Sequence, residues 1–201
     1  LQHNLICMLG LKLETDPNWV NIVEKNISEI LTDHAWCEQK AASNALSLVV
    51  NFPQHTDMVE ELLSLAKEEL THFEMVHQKI KERGFTLGFE RRDPYVNELY
   101  KFMRKGYKRE IVLIDRLLFS AMVEARSCER FKVLSENIAD EELRSFYREL
   151  MISEANHYTT FLAFARKYGE GVEDVNARWQ QWLNFESEVI KNYGREETIH
   201  G

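Results

Sequence analysis

Residues 69–72 read Glu69-Leu70-Thr71-His72, and residues 154–157 read Glu154-Ala155-Asn156-His157. Both are Glu-x-x-His, and both sit in apolar runs of helical period. Leu62, Leu65, Ala66, Phe73, Val76 and Ile80 surround the first, and Tyr147, Leu150, Phe161 and Phe164 the second. Positions i and i+3 share one face of an α-helix, so each pair can grip a metal ion with a carboxylate and an imidazole. One such pair arises often by chance. Here each pair also follows a lone carboxylate in an otherwise apolar or small-residue helix face. Glu38 lies 31 residues before Glu69, and Glu124, in the row Leu113, Leu117, Ala121, Glu124, Cys128, Phe131, Leu134, lies 30 before Glu154. The pattern thus occurs twice, 85 to 86 residues apart. Four unpaired carboxylates inside a core would each be costly or would neutralise themselves, so a purely structural helical bundle leaves them unexplained.

The chain around these pairs reads as helices throughout. Asp16-Pro17 is a start signal, Asp as N-cap and Pro in the first turn. It predicts a helix to about Leu31, with Trp19, Ile22, Val23, Ile27 and Ile30 inward. Thr32 or Asp33 then recaps a second helix, about 32–51, that stops near Phe52-Pro53. A third, about 56–83, is closed by Gly84. After a loop over 84–93, Asp93-Pro94 repeats the start signal for a short helix to about Gly106. Long helices follow at about 108–136 and 140–168, the latter closed by Gly169, and a last amphipathic helix spans about 172–193. Residues 1–201 read as a single domain. Two helices, a long crossover and two more helices would bring four glutamates and two histidines together. That is the ligand set of ferritin-like di-iron and di-manganese bundles. The expected class is all-α: a ferritin-like four-helix bundle with a long helix-containing crossover and additional N- and C-terminal helices. Two divalent ions and four glutamates make a formally neutral cluster.

Composition agrees. The 201 residues hold only 8 Gly and 3 Pro, too few for the frequent turns of a β-sandwich, while 44% hydrophobic residues exclude disorder. No run approaches a membrane span, and Leu1 to Leu13 lack the pattern of a signal peptide. Cys7, Cys37 and Cys128 lie far apart, as expected of reduced thiols in a cytoplasmic protein. They also leave no Cys-x-x-Cys for a rubredoxin-like iron site, a zinc ribbon or an iron–sulfur cluster. An oxygen-rich set with two imidazoles suits iron or manganese better than zinc, and ligand type does not separate those two. Ala35, Ala41, Ala42 and Ala45 beside Glu38 leave room for dioxygen or a substrate group, or serve close helix packing.

Longer segments around these residues carry a resemblance. Asp33-His34-Ala35-Trp36-Cys37-Glu38-Gln39-Lys40-Ala41-Ala42-Ser43 resembles the first metal helix of the MiaE tRNA hydroxylases, which act on 2-methylthio-N6-isopentenyladenosine beside the anticodon. The likeness continues through Glu68-Glu69-Leu70-Thr71-His72-Phe73, Glu124-Ala125-Arg126-Ser127-Cys128-Glu129-Arg130-Phe131 and Ser153-Glu154-Ala155-Asn156-His157-Tyr158. It implies a non-haem di-iron monooxygenase that hydroxylates the isopentenyl group with dioxygen and two electrons from a reductase or ferredoxin system. The implied ligands are Glu38, Glu69, His72, Glu124, Glu154 and His157. Glu69 and Glu154 would bridge two irons, Glu38 and Glu124 would be terminal, and each histidine would complete one iron. Manganese is the alternative ion in vitro. A monomer or small oligomer with no membrane association is expected.

A tRNA substrate must be squared with a net charge of −8. One run is locally basic: Arg91, Arg92, Lys101, Arg104, Lys105, Lys108 and Arg109, against Asp93 and Glu98 only, with Tyr95, Tyr100, Phe102 and Tyr107 interleaved. Such a run can hold phosphates while aromatics stack bases, and these seven are the candidate tRNA contacts. The rival readings are a ferritin-like iron-binding or ferroxidase protein and a di-iron hydroxylase of a small molecule such as a quinone. The first needs a cage. The second needs an apolar membrane-facing helix, where residues 94–107 are basic instead. A peroxide-reducing rubrerythrin relative would need the absent Cys-x-x-Cys domain. His34 reads as a helix-start residue touching solvent; His3, His55, His77 and His200 read as surface; Tyr147 and Tyr158 as core; Cys37 and Cys128 as non-ligands.

Overall fold

Asp93 and Asp140 each end an extended stretch and turn the chain into a helix. Asp93 Oδ1 accepts the Val96 N–H at 2.8 Å with Pro94 in the first turn, and Asp140 Oδ1 accepts the N–H groups of Glu142 and Leu143 at 3.0 Å. The computed structural model describes residues 9–193 and 195–200, and all regular structure among them is helical. A 3₁₀ turn, Pro17–Trp19, leads into α1 (Val20–Val23). It is followed by α2 (Ile27–Asn51), α3 (Thr56–Glu82), α4 (Pro94–Phe102), α5 (Arg109–Asn137), α6 (Glu141–Gly169) and α7 (Val175–Val189), then a 3₁₀ turn over Ile190–Asn192. Among the described residues no helix is long and apolar enough to cross a membrane.

The chain divides into two compact units. One contains Asn21–Arg92 and Glu196–Ile199, built on the hairpin of α2 and α3. Its core includes Leu31, Ala35, Ala42, Leu48, Met58, Leu62, Val76 and Ile80. At the end of α3, Gly84 has φ 72°, the Phe85 N–H reaches the Ile80 carbonyl at 3.0 Å and the Gly84 N–H reaches Lys81 at 2.9 Å. This is a Schellman turn, and it needs the left-handed residue that glycine supplies. The other unit contains the described residues up to Val20, Asp93–Arg195 and His200, with α4 and α7 packed on the hairpin of α5 and α6. Gly169 closes α6 for a steric reason: a Cβ there would lie 2.2 Å from Val175 Cγ2.

The expected helix from Asp16 to Leu31 does not form. Asp16 does cap, accepting the Asn18 N–H at 2.9 Å, but α1 ends after one turn in i→i+3 bonds from Lys25 and Asn26. Thr32 and Asp33 do not recap, because α2 runs through them from Ile27. Their side chains serve long-range partners instead: Thr32 Oγ1 accepts the Gly88 N–H at 3.4 Å, and Asp33 Oδ2 accepts the Ile199 N–H at 2.8 Å. The short crossover helix stops at Phe102 rather than Gly106, and the last α-helix covers Val175–Val189 within the predicted 172–193. Phe73 and Phe164 are half-buried, at the edges of their stripes. His3 and Cys7 lie outside the described residues.

Candidate metal centre

Helical spacing places Glu69 and His72 on the buried side of α3 with Leu65, Ala66 and Val76. His72 Nδ1 lies 3.3 Å from Glu69 Oε2 and 3.7 Å from Oε2 of Glu38, which α2 contributes. These three buried residues each offer a donor atom within 4.8 Å of the others. Nε2 of His72 faces outward, 3.8 Å from Glu68 Oε1. Burial alone would raise the Glu38 pKa, but the hydrogen bond with His34 and the neighbouring His72 imidazole outweigh it and hold the carboxyl well below the usual range. His34 Nε2 sits 2.6 Å from Glu38 Oε1, one helical turn away. His34 is therefore neither at a helix start nor in contact with solvent: α2 begins seven residues earlier, and the imidazole is fully buried.

The other unit repeats the arrangement. Glu154 and His157 share the inner face of α6, with His157 Nδ1 3.7 Å from Glu154 Oε2. Glu124 comes from α5, and the three are buried with donor atoms within 4.8 Å of one another. In both units Nδ1 is the ring nitrogen turned toward a carboxylate. Two carboxylates buried at this separation repel one another until a cation offsets their charge, and the imidazole adds a nitrogen donor, so each set fits a hard or borderline divalent metal. Cys128 lies nearby, but burial and the charges of Glu154, Glu129 and Glu124 push its thiol pKa up, and Sγ donates to the Met151 carbonyl at 3.3 Å. It is a neutral thiol in the core. Tyr147 and Tyr158 are core too; the Tyr147 ring lies 5.4 Å from that of Phe131.

The family model described as tRNA-(MS[2]IO[6]A)-hydroxylase (MiaE) matches residues 5–201. The chain belongs to this family. A tRNA 2-(methylsulfanyl)-N(6)-isopentenyladenosine(37) hydroxylase of Pseudomonas putida is 39% identical, over 92% of this chain and 89% of the relative. The protein of the same name from Salmonella typhimurium is 30% identical, over 88% and 81%. Among solved structures, a Synechococcus protein with aldehyde deformylating oxygenase activity superposes with a TM-score of 0.84 at 30% identity, covering 95% of both chains. The all-α, ferritin-like class expected from the doubled motif is borne out, and the MiaE resemblance with it.

The MiaE-like segment from Glu124 to Phe131 does more than carry Glu124. Arg126 is fully buried and donates to Glu186 Oε1 at 2.6 and 3.1 Å, to Glu129 Oε2 at 2.9 Å and to the Leu13 carbonyl at 3.1 Å. Glu129 also accepts the backbone N–H and the hydroxyl of Thr15 at 2.8 and 2.7 Å, and Glu186 accepts the Tyr95 hydroxyl at 3.0 Å. Burial would lower the Arg126 pKa, yet Glu186, Tyr95 and Glu129 hold it above its ordinary value. Arg130 stacks over Trp19, 4.1 Å from the ring centroid. Ser127 meets His200 Nε2 at 2.9 Å, and His200 Nδ1 meets Asp93 at 2.8 Å. His200 is thus buried, contrary to the surface reading. The sequence signal for this network was present: α5 carries charges on more than one face, which a solvent-facing stripe would not.

The basic run separates into several environments. Arg91 and Arg92 belong to the first unit, the other five to the second. Arg92, Lys108 and Arg109 are exposed. Lys101 is exposed and paired with Glu98, and Lys105 lies 4.7 Å over the Tyr100 ring. Arg104 is committed elsewhere. Its guanidinium spans Glu173, at 2.6 Å, and Asp115, at 2.7 and 3.0 Å, and these carboxylates raise its pKa. Arg178 completes the brace with bonds of 2.9 Å to both oxygens of Asp115. Arg91 is half-buried and bonds to the Glu197 carbonyl at 2.9 Å.

Proposed function

We propose that Glu38, Glu69, His72, Glu124, Glu154 and His157 together hold two iron ions. On this reading the chain is a di-iron monooxygenase that hydroxylates the isopentenyl group of 2-methylthio-N6-isopentenyladenosine in tRNA. The observation that carries it is the same three-residue set, two glutamates and a histidine, buried within bonding reach in each unit of a MiaE-family chain. Glu69, Glu154, Glu38 and Glu124 would supply the carboxylate oxygens that hold the metals, and Nδ1 of His72 and His157 the nitrogen donors. Manganese is the other ion this donor set accepts. When bound and reduced, the iron pair supplies dioxygen activation. The net change replaces one carbon–hydrogen bond of the isopentenyl group by carbon–hydroxyl. The second oxygen atom leaves as water, with two protons and two electrons from a partner reductase.

The chain's own residues prepare this chemistry. His34 fixes one oxygen of Glu38, which stays ionised and presents its other oxygen toward His72. Glu68 stands behind His72, where a carboxylate favours the tautomer that leaves Nδ1 free to donate electrons. Leu31, Ala35, Leu65 and Ala66 in one unit, and Leu117, Ala121 and Leu150 in the other, exclude water around the ligands. The test is incubation of the iron-loaded protein with isopentenylated, methylthiolated tRNA, dioxygen and a chemical reductant, with nucleosides read by mass spectrometry. A gain of one oxygen atom on the modified adenosine is expected. An unchanged nucleoside from protein carrying two irons would overturn the substrate assignment.

A further inference from the structure

Residues 84–92 are fastened to α2 on both sides of a single aromatic residue. On one side, the Gly88 carbonyl accepts the Trp36 indole N–H at 3.0 Å, and its N–H reaches Thr32 Oγ1 at 3.4 Å. A Cβ at position 88 would meet Thr32 Cγ2 at 3.1 Å, so the chain approaches α2 closely there. On the other side, Lys40 Nζ pairs with Glu90 at 2.8 Å and donates to the Arg91 carbonyl at 2.9 Å, while the Arg91 guanidinium lies 3.3 Å from Glu29. Phe89, between these anchors, is 96% exposed, more than any other large apolar side chain among the described residues. A flexible loop would let such a ring fold back on the protein. Here the residues on both sides are held, and the ring is presented to solvent.

The position of the anchors matters. Trp36 and Lys40 stand two residues before and two after Glu38. At 1.5 Å of rise per residue each lies only about 3 Å along the helix axis from that proposed ligand. The loop therefore crosses α2 at the axial level of Glu38 but on the outer face of the helix, because residues two apart lie on opposite sides. Residues 83–92 carry Arg83, Arg91 and Arg92 against Glu90 alone, and Arg92 is exposed. An exposed aromatic ring beside cations is the chemistry that binds unpaired nucleotides, by stacking and by phosphate contact.

We propose that Phe89 is a stacking platform for an unpaired base of the RNA substrate flanking the modified nucleoside, with Arg92 on a neighbouring phosphate. This rests on the tRNA hydroxylase reading. The flanking base is the fitting occupant because the isopentenyl group must reach buried ligands, whereas Phe89 stands at the surface. The test uses the full iron-loaded chain and a fluorescent RNA hairpin carrying the methylthio-isopentenyl adenosine in its loop. Phe89→Ala weakens binding by about tenfold, the size of one base–aromatic stack, with iron content unchanged. Phe89→Trp keeps wild-type affinity and adds tryptophan emission that the RNA quenches. Arg92→Gln lowers the salt dependence of binding, whereas Phe89→Ala leaves it unaltered. Equal affinity of wild type and Phe89→Ala, when the wild type binds and hydroxylates the hairpin, overturns the Phe89 assignment alone. If the wild type binds no hairpin, the tRNA reading falls and takes the assignment with it. A wild-type dimer that Phe89→Ala dissociates would make the ring a contact between copies and also overturn the assignment.

Discussion

Replacing Arg126 by Met removes the cation at the centre of the α5 network and strands two buried carboxylates. Arg126 makes four bonds, three of them to Glu186 and Glu129, and all three side chains are about 1% exposed or less. Removing one partner of a buried ion pair costs about 3–5 kcal/mol. The remaining donors temper the loss, because Glu129 keeps both bonds from Thr15 and Glu186 keeps the Tyr95 hydroxyl. The lower end, about 3 kcal/mol, is therefore expected. With a urea slope of about 2 kcal/mol per molar, the unfolding midpoint falls by about 1.5 M at matched metal content. Circular dichroism at pH 7 reads it. The double variant Arg126→Met/Glu186→Gln recovers part of the loss, since one stranded charge is gone. A midpoint for Arg126→Met within about 0.3 M of wild type, with an unchanged slope, would refute the network as a stabilising element.

Four further outcomes follow. The Asp115 pKa is lowered because Arg178 and Arg104 outweigh the opposing effect of burial, so its stabilisation is complete above its ordinary 3.8 and is lost as pH falls below it. Asp115→Asn should thus destabilise most at pH 7 and progressively less as pH falls below 3.8 in chemical unfolding; equal destabilisation throughout would contradict the brace. Reversing Lys101, Lys105, Lys108 and Arg109 to Glu should weaken binding of the modified RNA hairpin and flatten its salt dependence, read by anisotropy titration. Arg104→Glu instead lowers the melting temperature, because it opposes Asp115 and Glu173. Gly169→Ala forces a Cβ against Val175 and should cost about 1–3 kcal/mol, seen as a lower melting temperature with metal content intact.

What the sequence disclosed and what it hid divide along physical lines. The six proposed ligands were legible because a doubled Glu-x-x-His with matched spacing to a preceding glutamate survives any shift of helix ends by a residue or two. Asp93-Pro94 and Gly84 were legible because capping is a local interaction. Thr32 and Asp33 misled for the complementary reason: the same side chains that cap helices locally can bond to Gly88 and Ile199 far along the chain. His34 was read as exposed because the helix was expected to start at Thr32 or Asp33, and His200 because it had no partner pattern near it in sequence. Their partners are Glu38 one turn on, and Asp93 and Ser127 at long range. Arg104 looked like a surface cation because its run is basic. The carboxylates that engage it, Asp115 and Glu173, come from α5 and from the turn before α7, which no local window contains.

Metal content tests the proposed dinuclear centre most directly. Iron should be measured by atomic emission on purified wild type beside Glu69→Ala and Glu154→Ala, with optical spectra of the oxidised proteins. About two irons per chain are predicted for the wild type from its paired ligand sets, with near-ultraviolet oxo-bridge absorption that both variants lose. A wild type that takes up neither iron nor manganese after anaerobic reconstitution, while remaining folded, would contradict it.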